Sequence, residues 1–312
     1  MQVNITPTKL QGTPKIPADK SWIIRYMIVS KIKDCDLTIR NINLCDDVLA
    51  CMDCLDNLGG VMNAGESATV LRLLLPWTVK TYGHADFILE GNLPNRPMGP
   101  YEDIFAVWNL DGNMLHVEGP ITNKDMDRDI SSQFFSGMLL AGYDLGECVS
   151  KRYLDMTRQV LCQPTPFDVT IPEDVSLKAF FTSFDSISTF DEPDLVIPKA
   201  YFASVLPGLH EIYFDNRLKY KESDRIDSVC DVINTLGGKC SVSENHLIIE
   251  GCSSLAGGTV SSHSDHRIAI MAAMLAQYCE NSVIIEDAEC VSKSWPCFYD
   301  EYERLGGIID VI

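Results

Sequence analysis

Ser223-Asp224-Arg225-Ile226-Asp227-Ser228-Val229-Cys230-Asp231-Val232-Ile233-Asn234-Thr235-Leu236-Gly237-Gly238 is the stretch from which the fold is read. Ile226, Val229, Val232, Ile233 and Leu236 recur at helical spacing on one face, polar capping residues precede them, and paired glycines stop the helix. The phrase occurs twice more. Asp46-Asp47-Val48 leads through Val48, Leu49, Met52, Leu55 and Leu58 to Gly59-Gly60, and Phe298-Tyr299-Asp300-Glu301-Tyr302-Glu303-Arg304 leads to Leu305-Gly306-Gly307. Short β-branched runs near the later two copies, Leu247-Ile248-Ile249-Glu250 and Val283-Ile284-Ile285-Glu286, read as strands. Helices ending in Leu-Gly-Gly beside short strands suggest a repeated α/β unit. Taken alone, Leu-Gly-Gly is also an ordinary helix stop.

Around that pattern lies a chain of 312 residues and 34.8 kDa, 46% apolar and 22% charged, which can bury a sizeable core and divides naturally into two domains. Twenty Gly and fifteen Pro exclude collagen-like and low-complexity classes. The densest apolar runs, residues 70–79 and 268–276, are too short to span a bilayer, and Arg72 and Pro76 interrupt the first. Met1-Gln2-Val3-Asn4-Ile5-Thr6 has no basic segment followed by an apolar one, so it does not read as a secretory signal. The expectation is a soluble, cytoplasmic protein. Twelve dispersed cysteines read as buried thiols in a chain too large to need staples. Cys51-Met52-Asp53-Cys54 has CxxC spacing, yet no second CxxC or His pair complements it, so core packing is expected there and no metal.

The charge balance is uneven: 25 Lys and Arg stand against 44 Asp and Glu, a formal net charge of -19. Such a molecule repels phosphate backbones and anionic membrane surfaces at long range, which argues against nucleic-acid and membrane partners. The informative question is where the scarce cations gather. Residues 215–225, Asp-Asn-Arg-Leu-Lys-Tyr-Lys-Glu-Ser-Asp-Arg, hold four of the 25 just ahead of the helix quoted first. Others recur at Lys20-Ser21 with Arg25, Arg72 after Gly65-Glu66-Ser67, Arg96-Pro97, Ser150-Lys151-Arg152-Tyr153, Asp265-His266-Arg267 and Ser292-Lys293-Ser294. Several adjoin Ser or Gly, which help bind oxyanions at helix N-termini, so the set describes a pocket for a ligand with several anionic groups. Each run by itself is equally a solvated turn. Ser131-Ser132-Gln133, ahead of Phe134, Met138 and Leu139, adds two hydroxyls and an amide at a helix start, or is simply its N-cap.

Taken in order, Lys20-Ser21 with Arg25, Asp46-Asp47-Val48, Arg96-Pro97-Met98-Gly99, Ser131-Ser132-Gln133, Pro193-Asp194-Leu195, Lys221-Glu222-Ser223-Asp224-Arg225, Asp265-His266-Arg267 and Ser292-Lys293-Ser294-Trp295-Pro296 resemble the 5-enolpyruvylshikimate-3-phosphate (EPSP) synthase family. The resemblance implies an α/β fold of two domains, the enolpyruvyl transferase fold, built from repeated βαβαββ units that are here trimmed. One domain would comprise residues 1–19 and 175–312 and the other residues 20–174, with the active site in the cleft between them. The implied activity moves the enolpyruvyl group of phosphoenolpyruvate to the 5-hydroxyl of shikimate 3-phosphate and releases phosphate, without metal or organic cofactor. By position, Lys20, Ser21, Arg25, Ser131, Ser132, Gln133, Ser150, Tyr153, Asp194, Arg217 and Lys221 would hold shikimate 3-phosphate. Lys20, Ala68, Arg96, Gln133, Arg225, Arg267 and Lys293 would hold phosphoenolpyruvate. Asp194 resembles the family's base for the 5-hydroxyl, a role compatible with capping the helix that follows, and Glu222 and Lys20 are candidates for the methylene proton. The implied partners are these two small molecules, the implied state is a monomer, and cations repelling each other across an empty cleft suggest an open form that closes on its ligands.

The chain also departs from the family pattern. Eleven residues lie between Phe181 and Pro193 where the family has most of a repeat, and Gly60 runs almost directly into Asn63-Ala64-Gly65. Glu66 stands where many members have Asn, and Ala68 where most have Gly. A methyl at Ala68 is expected to weaken glyphosate, the bulkier analogue of phosphoenolpyruvate, more than the substrate. Two other functions compete with the transferase: a non-catalytic relative that keeps the anion site, and the sister enolpyruvyl transferase acting on UDP-N-acetylglucosamine, whose loop cysteine has no evident counterpart here.

Overall fold

The computed structural model describes residues 1–122, 125–189 and 192–312. Phe190 and Asp191, inside the shortened segment before Pro193, lie outside the described residues. The chain divides into two compact units, a terminal unit of residues 1–17 and 173–312 and an inserted unit of residues 18–172.

The terminal unit opens with β1 (Val3–Thr6). The inserted unit follows with α1 (Lys20–Ile32), β2 (Leu37–Ile39), α2 (Asp46–Asp56), β3 (Val61–Gly65), α3 (Ala68–Tyr82), β4 (His84–Leu89), α4 (Gly99–Glu102), β5 (Phe105–Asp111), β6 (Met114–Ile121), α5 (Ser132–Leu140), α6 (Lys151–Cys162) and β7 (Phe167–Val169). The chain then completes the terminal unit with α7 (Val175–Lys178), α8 (Val196–Val205), β8 (Gly208–Tyr213), α9 (Arg225–Thr235), β9 (Lys239–Ser243), β10 (His246–Gly251), β11 (Gly258–Ser261), α10 (His266–Leu275), β12 (Val283–Glu286), α11 (Phe298–Arg304) and β13 (Ile308–Val311).

One sheet pattern occurs in both units. In the inserted unit the order is β3-β4-β6-β5, with β3 and β4 parallel and the other two pairings antiparallel. In the terminal unit the order is β11-β12-β1-β13, with the same sequence of orientations, and the chain's first strand supplies the third position. The parallel pairs are joined by α3 and α10, since parallel neighbours need a crossover connection, usually a helix. The antiparallel sheet β8-β10-β9 matches the last three positions of that pattern, and β2 and β7 form a two-stranded parallel sheet. The trimming expected from the sequence is therefore a loss of strands.

All three Leu-Gly-Gly phrases end helices that lead directly into strands, α2 into β3, α9 into β9 and α11 into β13. Their positions are not equivalent. β9 and β13 are antiparallel edge strands, whereas β3 is the edge of a parallel pair, so a helix of one trimmed repeat feeds the first strand of the next.

Each unit is built around a largely apolar helix buried on nearly every side. All ten residues of α10 are buried, and α3 buries nearly everything from Ala68 to Val79, as expected for core helices. Side chains such as Ile268, Ile270, Met271 and Leu275 each contribute roughly 1.5–3 kcal/mol by burial. These are the two runs too short for a bilayer, and among the described residues no helix is long and apolar enough to cross a membrane.

The face assigned to α2 needs correction. Leu49 and Met52 are 47% and 41% exposed, while Val48, Cys51 and Cys54 are fully buried. Positions 48, 51 and 54 form the inward stripe because the small thiols fit where α2 packs closely against α1 and β3. Burial pushes the thiol pKa of Cys51 and Cys54 far above the ordinary value, and Cys54 donates to the Asn63 carbonyl at 3.3 Å, so this CxxC consists of inert packing thiols.

Candidate functional site

Nearly every residue singled out by the sequence lies at a helix start or in a short turn beside one. In the inserted unit, Asp19 caps α1 by accepting from Ser21 N, Ser67 caps α3, Ser131 caps α5 through Gln133 N, and Ser150 precedes α6 with a left-handed backbone (φ 50°). Such termini present unbonded N–H groups and the positive end of the helix dipole, which suits anionic ligands.

Two buried arginines tie these starts together. Arg25 donates from Nε to Thr157 Oγ1 (2.8 Å), from Nη1 to Ser21 O (2.8 Å) and from Nη2 to Tyr153 O (3.1 Å), which fixes the start of α1 against that of α6. Burial lowers its pKa to about 10, against the pull of Asp19 and Tyr153, and leaves it charged at neutral pH. Its role in this geometry is to hold Ser21 and Tyr153 in place. Arg72 does the same for α3 and α5, donating to Gln133 Oε1 (2.9 Å) and to Pro97 O (2.6 Å), while Gln133 Nε2 donates to Thr69 Oγ1 (2.8 Å). Arg72 thus links Gln133 to the Arg96-Pro97 turn. Ala68 is buried at the first position of α3, and Ser132 is buried behind Ser131. Lys20 is anchored by Asp47, with Nζ 2.6 Å from Oδ2.

A helix irregularity explains the position of Arg72. Pro76 lies inside α3, so the carbonyl four residues earlier, that of Arg72, receives no intrahelical N–H. The Tyr101 hydroxyl donates to it at 2.7 Å instead. Gly137 of α5 permits the approach, since a Cβ there would stand 2.1 Å from Arg72 O and 2.3 Å from the Tyr101 oxygen.

The terminal unit holds a denser cluster. Arg225, the first residue of α9 and 1% exposed, donates from Nε to Asp265 Oδ2 (2.6 Å), from Nη1 to Asp194 Oδ1 (2.6 Å) and from Nη2 to Glu222 Oε2 (2.7 Å). Asp194 also meets Lys221 Nζ at 3.3 Å and Arg267 Nη2 at 3.7 Å. Asp265 caps α10 by accepting from Arg267 N (2.9 Å). Because Asp194 lies in the turn of residues 193–195 that leads into α8, this network gathers the starts of α8, α9 and α10. The alternative of Asp194 as a helix cap is not realised, since α8 has no side-chain cap and the carboxylate is turned to the cations. Lys293 is buried at the end of the turn after β12 (residues 288–293), and Arg217 pairs with Asp215 at 3.0 Å.

Burial raises the pKa of Asp194, but Lys221, Arg267 and Arg225 together outweigh it and hold the carboxyl well below the usual range. Burial would lower that of Arg225, yet Asp265, Glu222 and Asp194 raise it further. Asp194 and Arg225 are therefore held in their charged forms, in a cluster where Lys221, Arg225 and Arg267 meet Asp194, Glu222 and Asp265.

The residues brought together within the inserted unit are Ser21, Arg25 and Tyr153 on one side and Gln133 beside the Arg96-Pro97 turn on the other. Those brought together within the terminal unit are Asp194, Lys221, Glu222, Arg225 and Arg267. Asp47 and Asp265 carry no role in the sequence reading, and Arg72 counts there only among the pocket cations, yet each positions an assigned residue. Their signal was present, because each stands in or beside a quoted motif, but a supporting carboxylate has no pattern of its own.

Residues 172–302 match the family model described as EPSP synthase (3-phosphoshikimate 1-carboxyvinyltransferase). Across nearly its whole length the chain is similar to proteins named 3-phosphoshikimate 1-carboxyvinyltransferase, with 27% identity to that of Clostridium perfringens over 99% of both chains and 29% to that of Clostridium botulinum over 97% of both. The first alignment runs over 422 positions against 312 residues here, so at least 110 positions have no counterpart in this chain. A solved structure of EPSP synthase from Acinetobacter baumannii shares the fold with a TM-score of 0.70 at 19% identity, covering 99% of this chain and all of that one.

Proposed function

We infer, from the premise that this chain is a shortened relative of the EPSP synthases, that it is a 3-phosphoshikimate 1-carboxyvinyltransferase of the shikimate pathway to chorismate and the aromatic amino acids. It transfers the enolpyruvyl group of phosphoenolpyruvate to the 5-hydroxyl of shikimate 3-phosphate and releases phosphate. The observation that carries this reading is the ion cluster around Asp194, in which a carboxylate is held among Lys221, Arg225 and Arg267 in a strongly acidic protein.

The two substrates bring two phosphates and two carboxylates, and the scarce cations suit them. In this assignment the hydroxyls and amide of Ser21, Ser131, Ser132, Ser150, Tyr153 and Gln133, with Arg25, Arg217 and Lys221, bind shikimate 3-phosphate. Arg96, Arg225, Arg267 and Lys293 clamp phosphoenolpyruvate, whose planar carboxylate and phosphate suit arginine forks. Lys20 and Gln133 serve both substrates. The assignment keeps two domains, residues 1–19 with 175–312 and residues 20–174. The enzyme works as a cytoplasmic monomer without metal or organic cofactor.

Asp194 takes the proton of the 5-hydroxyl as its oxygen attacks C2 of the enol, while Glu222 or Lys20 protonates the methylene carbon. Loss of a proton from that carbon then expels phosphate and restores the double bond. Within the ligand-free cluster Asp194 is a weak base, because three cations stabilise its charge. Anionic substrates take up those cations, lessen their hold on Asp194 and raise its basicity when it is needed. The test is phosphate release from phosphoenolpyruvate with shikimate 3-phosphate or with UDP-N-acetylglucosamine as acceptor. Turnover only with the first supports the assignment, turnover only with the second makes it the sister transferase, and turnover with neither leaves an anion-binding relative.

A further inference from the structure

The Leu236-Gly237-Gly238 stop does more than end α9. Gly237 is left-handed (φ +90°), and a Cβ on Gly238 would stand 2.8 Å from Ile233 Cγ2 and 3.0 Å from its carbonyl, so the turn is close-packed and returns β9 along α9. Asn234 fixes the return, accepting from Cys240 N (2.7 Å) and donating to Cys240 O (2.9 Å). Held at both backbone groups, Cys240 directs its sulfur to Cys230 on α9, with an Sγ–Sγ separation of 2.8 Å. That is about 0.8 Å longer than a disulfide bond of about 2.0 Å. Cys240 is 9% exposed and Cys230 is half-buried, so reagent reaches the pair from the Cys230 side.

We propose that Cys230 and Cys240 form a redox-modification site that a peroxide converts reversibly to an intramolecular disulfide joining α9 to β9. Cys230, the half-buried sulfur that reagent reaches, is the attacking thiol and Cys240 the resolving thiol, and the contact between the sulfurs lowers the pKa of Cys230 while raising that of Cys240. Cys230 sulfur attacks peroxide, the O–O bond breaks, hydroxide leaves, and a sulfenic acid remains. Cys240 sulfur then attacks Cys230 sulfur, the S–S bond forms, the S–O bond breaks, and water leaves with the Cys240 proton. Two thiols are oxidised by two electrons and one peroxide is reduced to two waters. The pair stands apart from the packing thiols, such as Cys45 and Cys279, whose pKa values burial pushes up to about 11.

The test treats the reduced full chain with near-stoichiometric hydrogen peroxide, blocks remaining thiols with N-ethylmaleimide and maps the products by mass spectrometry. The expected result is a loss of about 2 Da, a Cys230–Cys240 cross-linked peptide and its reversal by dithiothreitol. In Cys240→Ser, dimedone should instead capture a sulfenic acid at Cys230. Alkylation of both Cys230 and Cys240 while the exposed Cys162 or Cys297 is oxidised would overturn the proposal. So would cross-links to other partners.

Discussion

At the scale of single residues, the site is set by where one group leaves another no alternative. Pro76 withholds an N–H from the Arg72 carbonyl, and Tyr101 supplies a hydroxyl in its place. Tyr101→Phe should therefore destabilise the inserted unit by about 1–3 kcal/mol, the cost of a buried acceptor left unsatisfied, and thermal unfolding measures it. Asp194 carries a pH signature. Its pKa is depressed in the folded state, so its contribution to stability is fully present above the ordinary carboxylate pKa of about 3.9 and is lost as pH falls through the folded value. Acid unfolding of Asp194→Asn should accordingly depend less steeply on pH below about 4 than that of the native protein, and identical profiles would contradict the assigned shift. Ala68, buried at the start of α3, is expected to protect against glyphosate, so Ala68→Gly should be inhibited at lower concentrations. Equal inhibition of the two proteins would refute it. Glu222 and the binding candidates Lys221, Arg225, Ser131, Ser132 and Gln133 were legible in the sequence because Lys-Glu-Ser-Asp-Arg and Ser-Ser-Gln are local phrases. The partners that hold them were not, because Asp265 lies 40 residues from Arg225, and Arg72 lies 61 from Gln133.

Among elements, the recurring device is the helix start. The beginnings of α8, α9 and α10 meet at one ionic network, while α1 with α6 and α3 with α5 are joined by an arginine each. Removing a carboxylate from such a buried network leaves an uncompensated charge. Asp265→Ala should cost about 3–5 kcal/mol in stability, more than loss of an N-cap alone at about 1 kcal/mol, as denaturant unfolding would report. The stops of α2, α9 and α11 were legible because Leu-Gly-Gly has a local backbone cause. The inward face of α2 was not, since its apolar residues offer overlapping stripes, and only packing against α1 and β3 selects Cys51 and Cys54 over Leu49 and Met52.

For the whole molecule, the repeat pattern survives trimming because each complete sheet keeps a buried crossover helix, α3 or α10, with its parallel pair intact. The other two sheets have three and two strands. Sequence spacing did not reveal that β1, at the far end of the chain, completes the sheet of β11, β12 and β13. The strong negative charge of the molecule makes the clustered cations chemically meaningful, and in the proposed transfer Asp194 supplies the base. The most direct measurement is the steady-state rate of phosphate release with both substrates saturating, for the native protein and for Asp194→Asn. The proposed function requires turnover by the native chain and a loss of roughly 10²–10⁴-fold in kcat in the variant. Equal rates in the two proteins would contradict it.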